Sequence, residues 1–166
     1  MSLFLGIDFG TTGVRSSIID KNKKELINFS VSIDSPISKG SLVYQNPSLW
    51  WSALIKNLTF LKTKIELNKI ERLSIDGTSG TVLITDHLGN PLDDALMYND
   101  ASAVKESKLV ESISDNHPIV STSTNALVRA LSLINKLKKE KYRILHQADW
   151  IACKIINDYM YSDENN

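Results

Sequence analysis

The chain has 166 residues, and its 19 basic and 19 acidic residues cancel to a formal net charge of zero. This length suffices for one domain with a buried core, whereas the charge balance disfavours a nucleic-acid or membrane-surface role that depends on electrostatics. The single cysteine, Cys153, permits no internal disulfide and is typical of a reducing compartment. Because no apolar run approaches membrane-spanning length, we expect a cytoplasmic protein with no nucleic-acid or membrane partner.

The N-terminal segment predicts two apolar, β-branched strands joined by a glycine-rich turn. Gly10 and Gly13 permit positive φ angles and let backbone N–H groups come close to a ligand. Thr11 and Thr12 add hydroxyl donors that suit phosphate oxygens. Asp8 can hold Mg²⁺ through water, because Mg²⁺ keeps several waters and takes only one or two protein carboxylates. These groups favour a nucleoside-triphosphate site, and the alternative is an ordinary hairpin with a glycine–threonine turn.

The sequence around this turn excludes the two commonest glycine-rich nucleotide motifs. No Gly-Lys-Ser/Thr follows and no helix opens here, so the segment is neither a P-loop nor a Gly-x-Gly-x-x-Gly fingerprint. The strand–Asp-x-Gly-Thr-Thr–strand pattern instead resembles the first phosphate motif of the actin-like ATPase superfamily. Arg15, on the outgoing strand, either contacts phosphate or pairs with an acid at the hairpin.

The rest of the chain predicts helices layered on a mixed sheet. Strands are predicted at residues 25–33, 70–75 and 82–85, a loop at 35–43, and later helices at 100–113, 125–139 and about 145–159. A further helix begins with Asn46 as its N-cap and Pro47 as its first residue. The apolar residues of that helix recur at helical spacing, which predicts that it covers one face of the sheet.

Further motifs follow the Asp8 turn in a set order. They are Tyr44–Pro47 with Trp50 and Trp51, Asp76–Gly80, Tyr98–Asp100, and His146–Trp150. With the first turn, they resemble the N-terminal domain of the FGGY carbohydrate kinases, and are most similar to D-ribulokinase and xylulokinase-like members. The resemblance covers nearly the whole chain. It implies an α/β fold: an actin-like ATPase (ribonuclease H-like) domain with a mixed sheet flanked by helices, here incomplete.

The Asp76–Gly80 segment is a glycine-flanked turn after a strand, able to present hydroxyls and backbone N–H groups to a polyol. By resemblance, Ser79 falls at a sugar contact and Thr78 beside it, whereas the alternative is a plain glycine turn. Xylulokinases carry Met-His at the positions of Ser79 and Gly80, which makes D-xylulose a less favoured substrate.

The Tyr98–Asp100 segment is the second part of the predicted sugar site. By resemblance, Tyr98 lies against the sugar carbons, and the alternative is a core tyrosine. Asp100 either binds a sugar hydroxyl or caps the following helix. Many relatives place an arginine two residues after this acid, where this chain has Ser102, so we expect a different polar network there.

The resemblance implies transfer of the ATP γ-phosphoryl group to a hydroxyl of a ketose or polyol, and it favours pentuloses as a class, of which D-ribulose and D-xylulose are examples. ATP and Mg²⁺ are the implied cofactors, and a homodimer of the full-length protein is compatible with it. Asp8 takes the catalytic Mg²⁺ and γ-phosphate role. The implied ATP phosphate contacts are Gly10, Thr11, Thr12, Gly13 and Arg15, and the implied sugar contacts are Thr78, Ser79, Tyr98 and Asp100.

Members of this family are much longer and have two domains. The resemblance places their general-base aspartate beyond the equivalent of Asn166. We therefore expect residues 1–166 to be part of the N-terminal domain, without the C-terminal part of that domain or the second domain, and to be inactive alone. The alternative is a non-catalytic sugar- or partner-binding remnant of an actin-like ATPase domain.

Overall fold

The computed structural model describes residues 2–114, 119–137 and 141–162. The strands are β1 (Leu3–Phe9), β2 (Gly13–Asp20), β3 (Glu25–Ser32), β4 (Ile37–Lys39), β5 (Leu42–Gln45), β6 (Ile70–Gly77), β7 (Val82–Thr85), β8 (Ala95–Leu96) and β9 (Arg143–His146). The helices are α1 (Pro47–Lys62), α2 (Val104–Ile113), α3 (Ala126–Leu137) and α4 (Gln147–Ile156), with a short 3-10 helix at Leu67–Lys69. They form two compact units, Met1–Ser35 with Ser48–Gly77 and Pro36–Pro47 with Thr78–Asn166.

The first unit contains a four-stranded sheet in the order β3-β2-β1-β6. The sheet is mixed, as predicted, because β1 pairs antiparallel with β2 and parallel with β6. Alternate residues of β1 are buried, namely Leu3, Leu5, Ile7 and Phe9. Since side chains alternate between the faces of a strand, the intervening residues Phe4, Gly6 and Asp8 lie on the opposite face.

Helix α1 covers the buried face of this sheet, which confirms the prediction from its apolar spacing. It begins at Pro47 as predicted, and its apolar side chains Trp50, Leu54 and Leu61 are fully buried. The rings of Phe60 and Phe29 stack with their centroids 3.7 Å apart. The Ser16 hydroxyl donates to Asn57 Oδ1 over 2.5 Å, so even the polar contact beneath the helix is satisfied.

The second unit contains a five-stranded antiparallel sheet in the order β4-β5-β8-β7-β9. Its core combines buried residues of β7, β8 and α3, namely Val82, Ile84, Leu96 and Leu133. A smaller cluster joins α2 to α3 through Ala103, Val110 and Val128. The carboxyl end of α3 is predicted at Lys139, which lies outside the described residues.

Four short strands were not predicted, and all of them belong to the second sheet. The predicted loop at 35–43 contains β4 and the start of β5, and β8 has only two residues. β9 occupies the start of the helix predicted from about Leu145, so that α4 begins two residues later, at Gln147. Strands of two to four residues are too short to show an alternating pattern, and they exist here because distant segments pair with them.

None of the helices in the described part of the chain is long and apolar enough to span a membrane.

Candidate functional site

The predicted phosphate turn joins β1 and β2 in the first unit. The Gly10 N–H donates to the Gly13 carbonyl over 2.9 Å and closes the turn, and the Ile33 N–H donates to the Thr12 carbonyl over 3.0 Å. A cavity of about 420 Å³ lies beside it. The residues that line this cavity are Gly10–Gly13, Arg15 and Ser30–Ser32. The turn therefore presents backbone and hydroxyl groups to an open, polar depression.

Close packing constrains Gly13 but not Gly10, and neither glycine is needed for a left-handed backbone. A Cβ atom at Gly13 would lie 3.2 Å from the Val31 carbonyl oxygen, and one at Gly10 would lie 3.4 Å from the Gly13 carbonyl oxygen. Neither has a positive φ angle, in contrast to Gly80. The expectation that these glycines supply positive φ is wrong, but the expected close approach of backbone to a ligand has the space that it needs.

Asp8 and Arg15 face each other across the β1–β2 pair. Their side chains form an ion pair of 3.3 Å between Asp8 Oδ2 and Arg15 Nη2, with 47% and 69% of the side-chain surfaces exposed. Arg15 thus makes the acid contact that was one of its two predicted roles. An ion pair this exposed contributes only about 0–1 kcal/mol, so it does not prevent Arg15 from turning to a phosphate.

Asp76, the first residue of the Asp76–Gly80 motif, is a second acid beside Asp8, and the sequence predicted no role for its carboxylate. The two aspartates are register partners on the parallel strands β1 and β6. Both line a cavity of about 230 Å³, together with Arg15, Asn28 and Ser74 among others. One or two carboxylates plus waters and substrate phosphates are the usual environment of Mg²⁺, so this donor set fits the ion. The described residues contain no group of three or more metal-ligating side chains.

The predicted sugar turn, Thr78–Gly80, lies in the second unit and is fixed by hydrogen bonds of its backbone. The Thr81 N–H donates to the Thr78 carbonyl over 3.1 Å, and Gly80 has φ +78°. The Thr78 N–H donates to Gln147 Oε1 over 2.8 Å. Ser79 at the tip is exposed. A left-handed glycine and two anchored ends make this a defined turn that leaves the Ser79 hydroxyl accessible.

Tyr98 lies in the same unit, and 47% of its surface is exposed. The alternative of a core tyrosine is therefore wrong. Its backbone N–H donates to Thr81 Oγ1 over 3.2 Å, and its carbonyl accepts from Arg129 Nη1 over 2.8 Å. The backbone of Tyr98 is thus anchored to the residue that follows the sugar turn, while the ring is available for an apolar contact.

Asp100 is fully buried and anchors the backbone of β5. Its carboxylate accepts the Val43 N–H over 2.7 Å and the Ser102 hydroxyl over 2.9 Å. The predicted helix-cap role is wrong, because α2 begins at Val104 with Ala103 at the N-cap position. The sugar contact of Asp100 stays a prediction, but the bonds of its carboxylate are made inside the second unit.

Arg129, on α3, contacts the predicted sugar site through the carbonyls of Gly80 and Tyr98, and the sequence did not predict this role. It is only 1% exposed, and burial lowers the pKa of its guanidinium while the charge of Asp100 opposes that effect. On α3, Leu127 is 50% exposed, whereas Val128, Arg129 and Leu133 are buried. The only sequence signal that Arg129 is buried is its position four residues before Leu133, which places both on one face of the helix. The same spacing is common for arginines on solvated helix faces.

Comparison with known proteins decides the family. The family model described as "FGGY family of carbohydrate kinases, N-terminal domain" matches residues 3–162. The chain belongs to this family. It is 24% identical over 167 residues to the xylulose kinase of Staphylococcus xylosus, with 93% of this chain and 34% of that protein covered. It is 27% identical over 150 residues to the glycerol kinase of Aquifex aeolicus, with 84% and 30% covered.

The solved structures of FGGY kinases confirm the predicted actin-like ATPase fold. The xylulose kinase from Rhodospirillum rubrum superimposes with a TM-score of 0.79 at 15% identity, over 91% of this chain and 33% of that one. The chain therefore spans about a third of the length of the FGGY relatives that it matches.

Proposed function

We propose that this chain supplies the phosphate-binding hairpin and the sugar-binding turn of an ATP-dependent sugar kinase. The observation that carries the proposal is the closed Gly10–Gly13 turn, with Asp8 at the end of the strand that leads into it. Catalysis of phosphoryl transfer consists mainly of positioning and of charge stabilisation at the phosphate oxygens. A turn that offers backbone N–H groups and hydroxyls beside a carboxylate suits that chemistry.

The proposed roles in the hairpin follow from its contacts. Asp8 would hold Mg²⁺ through water, and the ion would supply positive charge that offsets the charge of the phosphates. Thr11 and Thr12 offer hydroxyls to phosphate oxygens. Arg15 moves from its exposed pairing with Asp8 to the phosphate, which costs little because that ion pair is weak.

The proposed acceptor is a ketose or polyol, with a pentulose such as D-ribulose or D-xylulose favoured. The Thr78 and Ser79 hydroxyls would bond sugar hydroxyls, and the exposed ring of Tyr98 would cover the sugar carbons. The similarity to a xylulose kinase and a glycerol kinase supports a substrate of this kind. We place the protein in the cytoplasm, where the buried free thiol of Cys153 stays reduced.

We further propose that the 166-residue chain by itself does not catalyse the phosphorylation of a sugar by ATP. It spans about a third of its relatives, and the general-base aspartate is expected beyond Asn166. The test is an assay of ATP-dependent phosphorylation of D-ribulose and D-xylulose by the purified polypeptide. We expect no product, and measurable product would overturn this part of the proposal.

Ligand binding by the same polypeptide tests the two proposed sites separately. We expect amide resonances of Gly10–Gly13 to shift with MgATP, and those of Thr78–Gly80 and Tyr98 to shift with a pentulose. Sugar-induced shifts without any response to MgATP would support a non-catalytic sugar-binding remnant instead. No response to either ligand would contradict the proposed function.

A further inference from the structure

The guanidinium of Arg129 connects segments that are far apart in the sequence. Nη2 donates to the Gly80 carbonyl over 2.5 Å. Nη1 donates to the Tyr98 carbonyl over 2.8 Å, to the Thr124 carbonyl, and to the Asp100 carbonyl over 3.4 Å. All of these partners lie in the second unit. One buried cation therefore joins the end of the Thr78–Gly80 turn to the backbone of Tyr98.

A buried charge is costly unless polar partners compensate it. Here the hydrogen-bond partners of the guanidinium among the described residues are neutral carbonyls, and the Asp100 carboxylate, which bonds the Val43 N–H, acts on it through its charge. Nε is buried and has no hydrogen-bond partner among the described residues. Simple stabilisation of a core is better achieved by an apolar side chain, so this arrangement favours a role that needs the rigid fork of guanidinium donors.

Helix α4 adds a second support to the same turn. Gln147 is fully buried, and its Oε1 must face Thr78 because the Thr78 N–H can only donate. The start and end of the turn are thus fixed by Gln147 and Arg129, from two different helices. The exposed Ser79 lies between these anchors.

Arg129 bonds the carbonyls of Gly80 and Tyr98, while the exposed Ser79 and the exposed ring of Tyr98 face solvent, where a ligand can contact them. We propose that Arg129 is a positioning residue for the acceptor sugar: it sets the placement of Tyr98 relative to the Thr78–Gly80 turn and thereby the affinity for a ketose or polyol. This inference rests on the proposed sugar site in the second unit.

The experiment compares Arg129→Lys with Arg143→Lys as a matched control. Lysine keeps the charge, but a single ammonium cannot reproduce a planar fork that bonds Gly80 and Tyr98 together. Arg143 is a half-buried arginine of the same unit, on β9 opposite Thr85. Circular dichroism and thermal unfolding establish that each variant is folded, and NMR titration of the polypeptide with D-ribulose, D-xylulose and glycerol measures the affinity.

We expect Arg129→Lys to weaken sugar binding by about tenfold or more and to shift the Gly80 and Tyr98 amide resonances before any ligand is added. MgATP-induced shifts at Gly10–Gly13 should be unchanged, and Arg143→Lys should leave both ligands unaffected. A folded Arg129→Lys chain with wild-type sugar affinity would overturn the inference while leaving the proposed sugar site intact.

A measurement on the wild-type chain keeps the test decisive if Arg129→Lys does not fold. Sugar binding should shift the Arg129 Nε resonance together with the amides of Gly80 and Tyr98. Sugar-induced shifts at Thr78 and Ser79 that leave Arg129 and Tyr98 unmoved would overturn the inference alone. If the wild-type chain shows no sugar-induced shift at all, the proposed sugar site fails and the role of Arg129 fails with it.

Discussion

The hairpin at Gly10–Gly13 and the turn at Thr78–Gly80 both follow a strand and contain glycine, but they are held in different ways. The hairpin is closed by its own backbone, and of its charged neighbours Asp8 is half exposed and Arg15 is largely exposed. The Thr78–Gly80 turn is anchored by buried side chains from two later helices, Gln147 and Arg129. The first region depends on local sequence, whereas the second depends on tertiary contacts, and substitutions should affect the two regions differently.

The largest difference should separate two arginines. Arg129→Met should lower the free energy of unfolding by about 3 kcal/mol, because it leaves several buried carbonyls without a charged donor. Arg15→Met removes only an exposed ion pair and should cost less than about 1 kcal/mol. Urea unfolding of both variants measures the difference. Equal losses would show that the two regions are not held as differently as their contacts indicate.

A smaller difference in the free energy of unfolding is expected between alanine substitutions at two glycines, one in each unit. Gly80→Ala places a Cβ atom 3.0 Å from Arg129 Nη2 in a backbone with φ +78°, and the left-handed conformation alone costs about 1–2 kcal/mol for a non-glycine residue. Gly6→Ala meets no atom within 4 Å and has no positive φ, so its effect should stay within about 0.5 kcal/mol. Thermal unfolding of the two variants tests this, and a neutral Gly80→Ala would argue that the turn is free to rearrange.

The smallest effect should be the pH dependence of stability that arises from His146, in the second unit. Burial lowers the pKa of His146 below its ordinary value of 6.5, the charge of Arg129 lowers it further, and Asp149 opposes both. A lowered folded-state pKa gives stability that is full above the unfolded value and is lost as pH falls through the folded value. Unfolding midpoints should therefore decrease as pH falls from about 6.5 downwards. His146→Gln should flatten that decrease, and an unchanged profile would exclude His146 as its cause.

The local nature of the hairpin explains why its sequence was sufficient to predict it. β1 and β2 have the length and the apolar, β-branched content that identify buried strands, and the turn residues are contiguous. Helix α1 was predictable for the same reason, from its start at Pro47 and its repeated apolar positions. In the hairpin the expected role of the glycines was wrong, because neither has a positive φ and Gly13 is instead constrained by its packing against Val31.

The second unit was harder to predict because its important contacts join distant segments. β8 has two residues and forms only by pairing with β5 and β7. Asp100 was recognised as a residue of interest, but its bond to Val43 spans 57 residues and left no local trace. Arg129 could not be distinguished from the other residues of α3, because the sequence around it does not indicate that its side chain will bond the distant carbonyls of Gly80 and Tyr98.

The proposed phosphate site is tested most directly by asking whether the Gly10–Gly13 hairpin binds the phosphates of a nucleotide and whether that binding depends on Asp8. The measurement is an NMR titration of the 166-residue chain with MgATP, for the wild type, Asp8→Asn and the control Glu71→Gln, an exposed acid on β6. We expect shifts at Gly10–Gly13, an affinity lowered about tenfold or more (about 1.4 kcal/mol) in Asp8→Asn, and no change in Glu71→Gln. Equal affinity in all three chains, or shifts that avoid the hairpin, would contradict the account.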